Sequence, residues 1–338
     1  MSSIRSKVYG VGYYVPPRVV TNADLATKYG IDTSDEWVQQ RTGIKQRHFV
    51  DEGMTNADLG VEAAKRALDA SGVKKEEIDL ILYATLSQDH EFPGTGCFFQ
   101  AKFGIPAGVP AMDVRNQCTG FLYCLSIADA LVRTGQYKRV LIIGSETHSR
   151  GLDLTTRGRD VAVLFGDGAG AAVVGPAAPG EESGILSVHL HADGNYAKEL
   201  WIEGPGCAFH PLRMNHEMVD DTRMFPKMNG KTVFMHAVRR MPETLLEALK
   251  VNGKNLEDLD LLVPHQANLR INEAVGKQLN LPEEKVFNTI QRFGNTTAAT
   301  LPIGLSEAVA QGKLKKGMLI GLVAFGSGFT WGSALIRW

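Results

Sequence analysis

A long-period duplication is the feature that most constrains how this chain can fold. In the first half, Gly72 is followed seven residues later by Asp79, which lies within an apolar run. In the second half, Gly253 and Asp260 repeat that spacing in a similar apolar run. Both segments are typical of a helix end, a charged turn and a short buried strand. Self-similarity at a long period predicts repeated structural units.

The repeat continues downstream of both segments. Cys118 is followed by glycines 17 and 26 residues later, and Asn295 is followed by glycines at the same two distances. Each segment has the pattern of a helix, a glycine turn with basic residues and an apolar strand, at 140–143 and at 318–323. Alternating helices and strands in two such units predict an α/β protein with helices buried between sheets.

The two clearest helical patterns belong to different environments. The helix at 55–70 has a polar face, with Thr55 as N-cap, Asp58 as its capping partner and Gly72 at its end, so we expect it at the surface. The helix after Cys118 leaves almost no polar face, which places it in the interior. Its apolar positions are Phe121, Leu122, Cys124, Leu125, Ile127, Ala128, Ala130 and Leu131.

Composition and charge exclude some classes of partner. Of 338 residues, 44% are hydrophobic and 22% are charged, and the net charge is −1. A nearly neutral chain creates no field that attracts nucleic acid or an anionic membrane surface. Residues 1–7 lack the apolar stretch of a secretory signal, and no apolar run is long enough to span a bilayer. We therefore expect a cytoplasmic protein without nucleic-acid or membrane partners.

The cysteines indicate neither disulfides nor a metal site. Cys97, Cys118, Cys124 and Cys207 form no C-x-x-C pair and no zinc-ligand spacing. In a reducing cytosol they are expected to be free thiols, with Cys124 in the core.

Cys118 lies between a predicted strand at 111–114 and the buried helix. A thiol in the first turn of a helix is close to unpaired N–H groups and to the positive end of the helix dipole. Both favour the thiolate, which is the reactive form. We therefore expect a nucleophile here, the alternative being a small buried core residue.

Two further polar residues lie where the repeat brings chain segments together. His265 follows the apolar run 260–263, and Asn295 lies in a glycine-containing turn. Taken singly, the histidine is also explained as a hydrogen-bonded structural residue and the asparagine as a helix cap. The duplication favours the functional interpretation, because Cys118 and Asn295 hold the same position in their repeats. A pseudo-twofold arrangement would bring both helix starts to one point, with His265 close by.

The glycine-rich segment 325–329 follows the last long apolar strand. Such a segment can bring backbone N–H groups close to a reacting carbonyl, so the amides of Cys118 and Ser327 are candidates for an oxyanion hole. It is not a dinucleotide fingerprint, because a strand rather than a helix is predicted after it. The run 165–170 likewise lacks the strand–glycine–helix context, and we expect it to serve tight packing between strands.

The chain resembles the ketoacyl-acyl carrier protein synthase III family over essentially its whole length. The resemblance rests on segments that match family signatures at 35–37, 41–44, 165–170, 191–194, 263–270, 294–296 and 328–333. It implies a thiolase-like duplicated fold with α-β-α-β-α layers, two similar halves and buried central helices. The implied halves are 1–180, with the nucleophile, and 181–338, with the histidine and asparagine.

The resemblance also implies roles for individual residues. Cys118, His265 and Asn295 would form the catalytic triad. Trp37 and Arg41 would flank the adenine of coenzyme A, Arg157 would hold its phosphates, Asn268 would bond the pantetheine arm, Arg270 and Lys277 would meet an acidic carrier protein, and Phe92 would cross a homodimer interface to close the neighbour's acyl pocket.

The activity implied is a decarboxylative Claisen condensation in fatty-acid or related acyl-chain biosynthesis. An acyl-CoA primer would load Cys118, and malonyl-acyl carrier protein would then yield a 3-ketoacyl thioester, with no metal or redox cofactor. The chain departs from the family pattern at 115–117, where Arg-Asn-Gln replaces small residues, and at Met235, which replaces a basic residue. The irregular segment 204–230 is longer than in housekeeping members, and we expect an ordered functional loop there. The identity of the acyl primer therefore stays open.

Three other functions fit parts of the sequence. A non-decarboxylating acyl-CoA condensing enzyme or acyltransferase of the same fold would need a base, and Glu91 is offset by one position from its expected place, which Phe92 holds. A papain-type hydrolase would share Cys, His and Asn, but the duplication and the apolar helix argue against it. An inactive carrier-binding scaffold would not need all three residues.

Overall fold

The computed structural model describes residues 5–338, so the first four residues of the N-terminal segment discussed above lie outside the described part. The strands are β1 (Ser6–Tyr14), β2 (Val19–Thr21), β3 (Gln46–His48), β4 (Leu80–Ala84), β5 (Ala111–Val114), β6 (Val140–Glu146), β7 (Gly168–Pro176), β8 (Gly184–Ala192), β9 (Leu200–Trp201), β10 (Lys227–Met228), β11 (Leu261–Pro264), β12 (Leu319–Gly326) and β13 (Thr330–Arg337).

The α-helices are α1 (Asn22–Thr27), α2 (Asp35–Thr42), α3 (Asn56–Ser71), α4 (Thr95–Phe103), α5 (Gly120–Arg133), α6 (Arg159–Ala162), α7 (His216–Asp220), α8 (Gly230–Val251), α9 (Leu269–Gln278), α10 (Ile290–Phe293) and α11 (Thr300–Ala310).

The four strands of the second main sheet have the same order and directions as the first four of the five strands in the first main sheet. The first runs β1-β7-β6-β4-β5, and the second runs β8-β13-β12-β11. In the first sheet β1, β7 and β6 are antiparallel neighbours and β6 is parallel to β4. In the second sheet β8, β13 and β12 are antiparallel neighbours and β12 is parallel to β11. The duplication and the predicted α/β class are therefore confirmed in the backbone, whereas the boundary at 180/181 stays a prediction.

Both sheets are buried on both faces, which gives five layers. Along β4, Leu80 and Leu82 face a core between the two sheets, whereas Ile81 and Tyr83 face an outer core under α3 and α4. The strands of the second sheet divide in the same way between the central core and an outer core under α8 and α9. Alternate side chains of a strand point to opposite faces, so continuous apolar strands are what this arrangement requires.

Helices α5 and α11 form the central layer. Each is entered through a short 3₁₀ turn, at Gln117–Thr119 and at Thr297–Ala299, and the two turns lie against each other. The interior position predicted for α5 is correct for most of its length, although Ala130 is exposed because the last turns of α5 approach the edge of the layer.

Helix α3 covers the outer face of the first sheet. Thr55 accepts a bond from the Asp58 amide, the Asp58 carboxylate accepts one from the Thr55 amide, and Gly72 ends the helix with a left-handed backbone. These caps confirm the sequence prediction, because a threonine followed three residues later by an acid can satisfy two free amides reciprocally.

The segment 204–230 combines irregular chain with short elements. It contains α7 and β10, and β10 pairs with β9 to form a small ribbon beside the two cavities described below. It is therefore less irregular than predicted. Among the described residues, no helix is both long enough and apolar enough to cross a bilayer. The cytoplasmic location stays a prediction.

Candidate active site

Cys118 lies in the 3₁₀ turn that leads into α5 and is 6% exposed. It forms part of the wall of two cavities. The larger cavity, about 650 Å³, extends past Gln117, His148 and Trp201. The smaller cavity, about 380 Å³, extends from Cys118 to Trp37 and Arg41. A group bonded to the Cys118 sulfur therefore has space on two sides.

The expected thiolate is not the resting form of Cys118. Burial raises the pKa of the thiol to about 12, and the negative charge of Glu146 adds to the rise. The backbone N–H groups of Ser327 and Cys118 act in the opposite direction, because they stabilise the thiolate. The sequence argument counted the helix start but not the desolvation, which has the larger effect here.

The imidazole of His265 lies at the end of β11 and is 2% exposed. Its backbone N–H donates to the Val323 carbonyl at 2.8 Å, so β12 holds its main chain. Its Nδ1 lies 2.7 Å from Thr300 Oγ1, and its Nε2 is buried without a hydrogen-bond partner among the described residues. Burial lowers the pKa of His265 to about 3, so the ring is neutral at physiological pH.

Asn295 lies just before the 3₁₀ turn that leads into α11 and is 5% exposed. Its Oδ1 accepts a hydrogen bond from the Thr297 amide at 2.9 Å. This bond orients the carboxamide, because it occupies the oxygen and leaves the Nδ2 group without a partner among the described residues. Asn295 thus offers an uncharged hydrogen-bond donor.

The three predicted triad residues line the same small cavity. Cys118, His265 and Asn295 all form part of its wall, together with Gly326 from the end of β12. The cavity therefore combines a sulfur, a neutral imidazole and an amide donor. This is the convergence that the pseudo-twofold argument predicted from the spacing.

The glycine-rich segment approaches Cys118 closely. A Cβ at Gly326 would lie 2.5 Å from Cys118 Cβ and 2.8 Å from its Sγ, so any other residue there would displace the sulfur or the strand. The hydroxyl of Ser327 donates to the Leu200 carbonyl at 2.5 Å, which leaves the Ser327 amide, rather than its hydroxyl, directed at the sulfur. This amide and that of Cys118 are the candidate oxyanion donors.

Trp37 and Arg41 line the outer part of the smaller cavity, one turn apart on α2. The Arg41 guanidinium lies 4.2 Å from the centre of the Trp37 ring, and that of Arg159 lies 4.7 Å from it. To admit a third ring between them, the Trp37 ring and the Arg41 guanidinium would have to be separated by about twice the ordinary contact distance of 3.5–4.0 Å. In this conformation Arg41 covers Trp37 and would have to move to admit an adenine.

Two other predicted CoA contacts have structural partners already. Arg157 Nε donates to Asp153 at 2.7 Å, and Arg157 lines neither of the two cavities among the described residues. Asn268 caps α9 by accepting from the Arg270 amide, and its Nδ2 donates to the Arg41 carbonyl at 2.9 Å. Asn268 does line the smaller cavity, so one Nδ2 hydrogen is still able to meet a ligand.

The predicted contacts with other chains lie at the surface. Phe92 is 81% exposed, the largest exposure among the described large apolar residues, and it lies outside the walls of both cavities. Arg270 and Lys277 are exposed on α9, two turns apart, and the Arg270 guanidinium lies 5.9 Å from the Phe234 ring at the smaller cavity.

Sequence reasoning missed four polar residues around the site. Glu146 ends β6 and accepts bonds from Thr85, Leu86 and Ser87, and burial raises its pKa to about 7. His148 Nε2 lies 2.5 Å from Thr297 Oγ1, and burial lowers its pKa to about 3. Thr297 and Thr300 lie shortly after Asn295 in the sequence, and their hydroxyl groups were the available signal.

Comparisons with known proteins agree with this arrangement. Residues 112–194 match the family model of 3-oxoacyl-[acyl-carrier-protein (ACP)] synthase III, and residues 249–338 match that of its C-terminal part. The beta-ketoacyl-[acyl-carrier-protein] synthase III of Xanthomonas euvesicatoria pv. vesicatoria is 46% identical over 336 residues, covering 99% of both chains. The corresponding synthase III 1 of Vibrio vulnificus is 46% identical over 332 residues, covering 98% of this chain and 99% of its own.

Solved structures show the same similarity in three dimensions. The crystal structure of 3-oxoacyl-[acyl-carrier-protein] synthase III from Aquifex aeolicus is 41% identical with a TM-score of 0.89, covering 98% of this chain and all of its own. The crystal structure of the priming beta-ketosynthase from the R1128 polyketide biosynthetic pathway is 33% identical with a TM-score of 0.88, covering 99% of this chain and 97% of its own.

Proposed function

The chain belongs to the 3-oxoacyl-[acyl-carrier-protein] synthase III family, and on that premise we propose that it joins an acyl-CoA primer to malonyl-acyl carrier protein. The products are a 3-ketoacyl thioester, CO₂ and free CoA. The observation that carries the proposal is the smaller cavity, where a thiol faces two uncharged hydrogen-bonding groups on His265 and Asn295. This set suits a reaction that first needs a nucleophile and then needs two hydrogen-bond donors to stabilise an enolate oxygen.

The first half-reaction is thiol–thioester exchange at Cys118. The sulfur attacks the primer carbonyl, the bond to the CoA sulfur breaks, and the thiol proton of Cys118 leaves with CoA as the free thiol. The amides of Ser327 and Cys118 donate to the developing oxyanion, and the loss of one such donor costs about 3 kcal/mol of barrier in other enzymes. The acyl chain extends into the larger cavity while the smaller one empties.

The second half-reaction breaks the bond between the malonyl methylene and its carboxylate. CO₂ departs, and the electron pair moves into the thioester carbonyl, where His265 and Asn295 donate hydrogen bonds to the enolate oxygen. The carbanion attacks the acyl carbonyl on Cys118 and expels the thiolate, which takes one proton from solvent. Two neutral donors suit this step, because the loss of CO₂ itself generates the carbanion and no base is needed to remove an α-proton.

The geometry disfavours the non-decarboxylating alternative. That reaction needs a base at the α-carbon. Glu91, the candidate, is exposed, accepts from Arg213 at 2.8 Å and lines neither cavity among the described residues. Its carboxylate is therefore engaged at the surface and away from Cys118.

The partners follow from the same proposal. Arg270 and Lys277 lie on α9, whose first turns border the smaller cavity, and they would attract an acidic carrier protein while its arm enters. Met235, exposed where a basic residue was expected, leaves that role to the α9 side chains. A second copy of the chain would cover Phe92 and bring it to the neighbour's larger cavity. Trp37, Asn268 and the Arg157 guanidinium would meet the coenzyme A primer.

The test is intact-mass analysis of the full chain with a panel of acyl-CoA thioesters, followed by malonyl-acyl carrier protein. We expect one acyl group per chain, its loss in Cys118→Ala, and CO₂ release only when malonyl-acyl carrier protein is added to acylated enzyme. Cys124→Ala is the matched control, because that thiol is fully buried in the central core away from the cavities. Acylation of Cys118→Ala, or CO₂ release without acylation, would contradict the proposal.

A further inference from the structure

The Thr300 hydroxyl is the side-chain group in hydrogen-bond contact with Nδ1 of His265. Thr300 begins α11 and is 2% exposed, and its Oγ1 lies 2.7 Å from His265 Nδ1. Among the described residues His265 has no other side-chain partner, since its Nε2 is buried and unpaired. The ring is neutral, so it carries one proton, on Nδ1 or on Nε2.

The two positions of that proton have different consequences. If Nδ1 carries it, Thr300 accepts, and the bare Nε2 faces the smaller cavity as an acceptor. If Nε2 carries it, Thr300 donates to Nδ1, and Nε2 faces the cavity as a donor. The second half-reaction proposed above needs the donor, because an enolate oxygen is an acceptor. The partner of one ring nitrogen thus fixes the chemistry of the other.

The Thr300 hydroxyl has a competing acceptor in the Thr297 carbonyl, at 3.0 Å. The contact with Nδ1 is shorter by 0.3 Å, at 2.7 Å, and the hydroxyl has a single proton, so donation to Nδ1 releases the Thr297 carbonyl. Thr297 itself has a left-handed backbone with φ of 49°, and its amide donates to Asn295 Oδ1. One turn therefore holds the Asn295 amide and the Thr300 hydroxyl in place together.

We propose that Thr300 is a positioning residue for the condensation step: its hydroxyl donates to His265 Nδ1 and so keeps the proton on Nε2, directed into the cavity. The inference rests on the proposed function and deepens it. Thr300 does not touch the primer or the malonyl group and acts only through the imidazole. Its loss should affect the second half-reaction and spare the first, in which thiol–thioester exchange makes no use of the Nε2 proton.

Two substitutions in the full chain separate the hydroxyl from the shape of the side chain. Thr300→Val keeps the size and removes the hydroxyl, whereas Thr300→Ser keeps the hydroxyl. An unsatisfied buried polar group costs enough to slow condensation by roughly tenfold to a hundredfold in Thr300→Val. We expect acylation of Cys118 to stay within about twofold of wild type, and Thr300→Ser to restore most of the condensation rate.

Thr244→Val is the matched control. Thr244 lies on α8 and is 1% exposed, and its hydroxyl is hydrogen-bonded to the Ser333 hydroxyl at 3.0 Å. Among the described residues, Thr244 is not part of the wall of either cavity. It removes a buried threonine hydroxyl without touching His265, so its condensation rate should match wild type. Thermal unfolding of all three variants shows whether each is folded before rates are compared.

The direct readout is the ¹⁵N chemical shift of the two His265 ring nitrogens in labelled enzyme, assigned by the signal lost in His265→Ala. We expect a protonated Nε2 in wild type and Thr300→Ser, and loss of that preference in Thr300→Val. A proton on Nδ1 in wild type, or wild-type condensation by folded Thr300→Val, would overturn the inference. If Thr300→Val does not fold, the wild-type shifts alone decide. If wild type itself does not condense, the proposed function fails, whatever the shifts show.

Discussion

The substitution Gly326→Ala tests how closely β12 and the nucleophile must approach. Gly326 ends β12 beside Cys118, and an added Cβ would lie 2.5 Å from Cys118 Cβ and 2.8 Å from its Sγ. Carbon atoms in contact are usually about 3.5–4.0 Å apart, so the nucleophile or the strand must shift by roughly 1 Å. Neither side is a flexible chain end, because Cys118 lies in a turn between β5 and α5 and Gly326 is paired with Thr330.

The expected cost has two parts. Overpacking of this kind destabilises proteins by about 1–3 kcal/mol, which should lower the melting temperature without preventing folding. A displacement of about 1 Å at a reacting atom can reduce the rate by about a hundredfold. We therefore expect Gly326→Ala to fold but to acylate Cys118 about a hundredfold more slowly than wild type.

The assay is the time course of acyl-enzyme formation by intact mass, together with thermal unfolding. Gly194→Ala is the control, because a Cβ at Gly194 meets no atom within 4 Å. It should keep both the melting temperature and the rate. Acylation of folded Gly326→Ala at the wild-type rate would refute the reasoning, since the sulfur would then tolerate the added methyl.

Three other predictions follow from the charges and donors of the site. Because burial raises the Cys118 pKa to about 12, the rate at which iodoacetamide alkylates Cys118 should rise about tenfold per pH unit across the neutral range. A rate that reaches a plateau near neutral pH would contradict this. Removal of the free amide donor in Asn295→Ala should leave the acylation end point intact and reduce CO₂ release by about 10²–10³-fold, and equal loss in both half-reactions would oppose the assigned role. Charge reversal in Arg270→Glu should raise KM for malonyl-acyl carrier protein but not for the acyl-CoA primer, with a salt dependence that weakens relative to wild type. An unchanged KM would place the carrier protein elsewhere.

The fold was largely predictable because its causes are local or periodic. The equal spacing after Cys118 and Asn295 reflects two copies of one structural unit, and the caps at Thr55 and Gly72 follow from backbone geometry. Trp37 and Arg41 share one face of α2, as residues four apart do, but they stack on each other rather than leaving the expected space for an adenine. The caps and the repeated units lie where the spacing places them.

The remaining features depend on distances between segments far apart in the chain. The Cys118 pKa depends on the balance between backbone N–H groups, some of which are visible locally, and burial together with the charge of Glu146, which are not. Gly326 meets Cys118 only when the two halves come together. The contact between Thr300 and His265 lies within the second half, but it forms only when the start of α11 packs beside the end of β11. The glycine-rich segment around Gly326 and the hydroxyl of Thr300 are visible in the sequence, but nothing local shows which residue each of them contacts.

The central claim is that the primer carbonyl on Cys118 becomes the ketone of the product. A single turnover with an acyl-CoA labelled with ¹³C at its carbonyl, followed by malonyl-acyl carrier protein, tests this directly. The account predicts that the label appears at C3 of a 3-ketoacyl thioester, with one CO₂ per acyl-enzyme consumed. Label recovered in a free carboxylic acid, or in a simple acyl thioester of the carrier protein without CO₂, would contradict it.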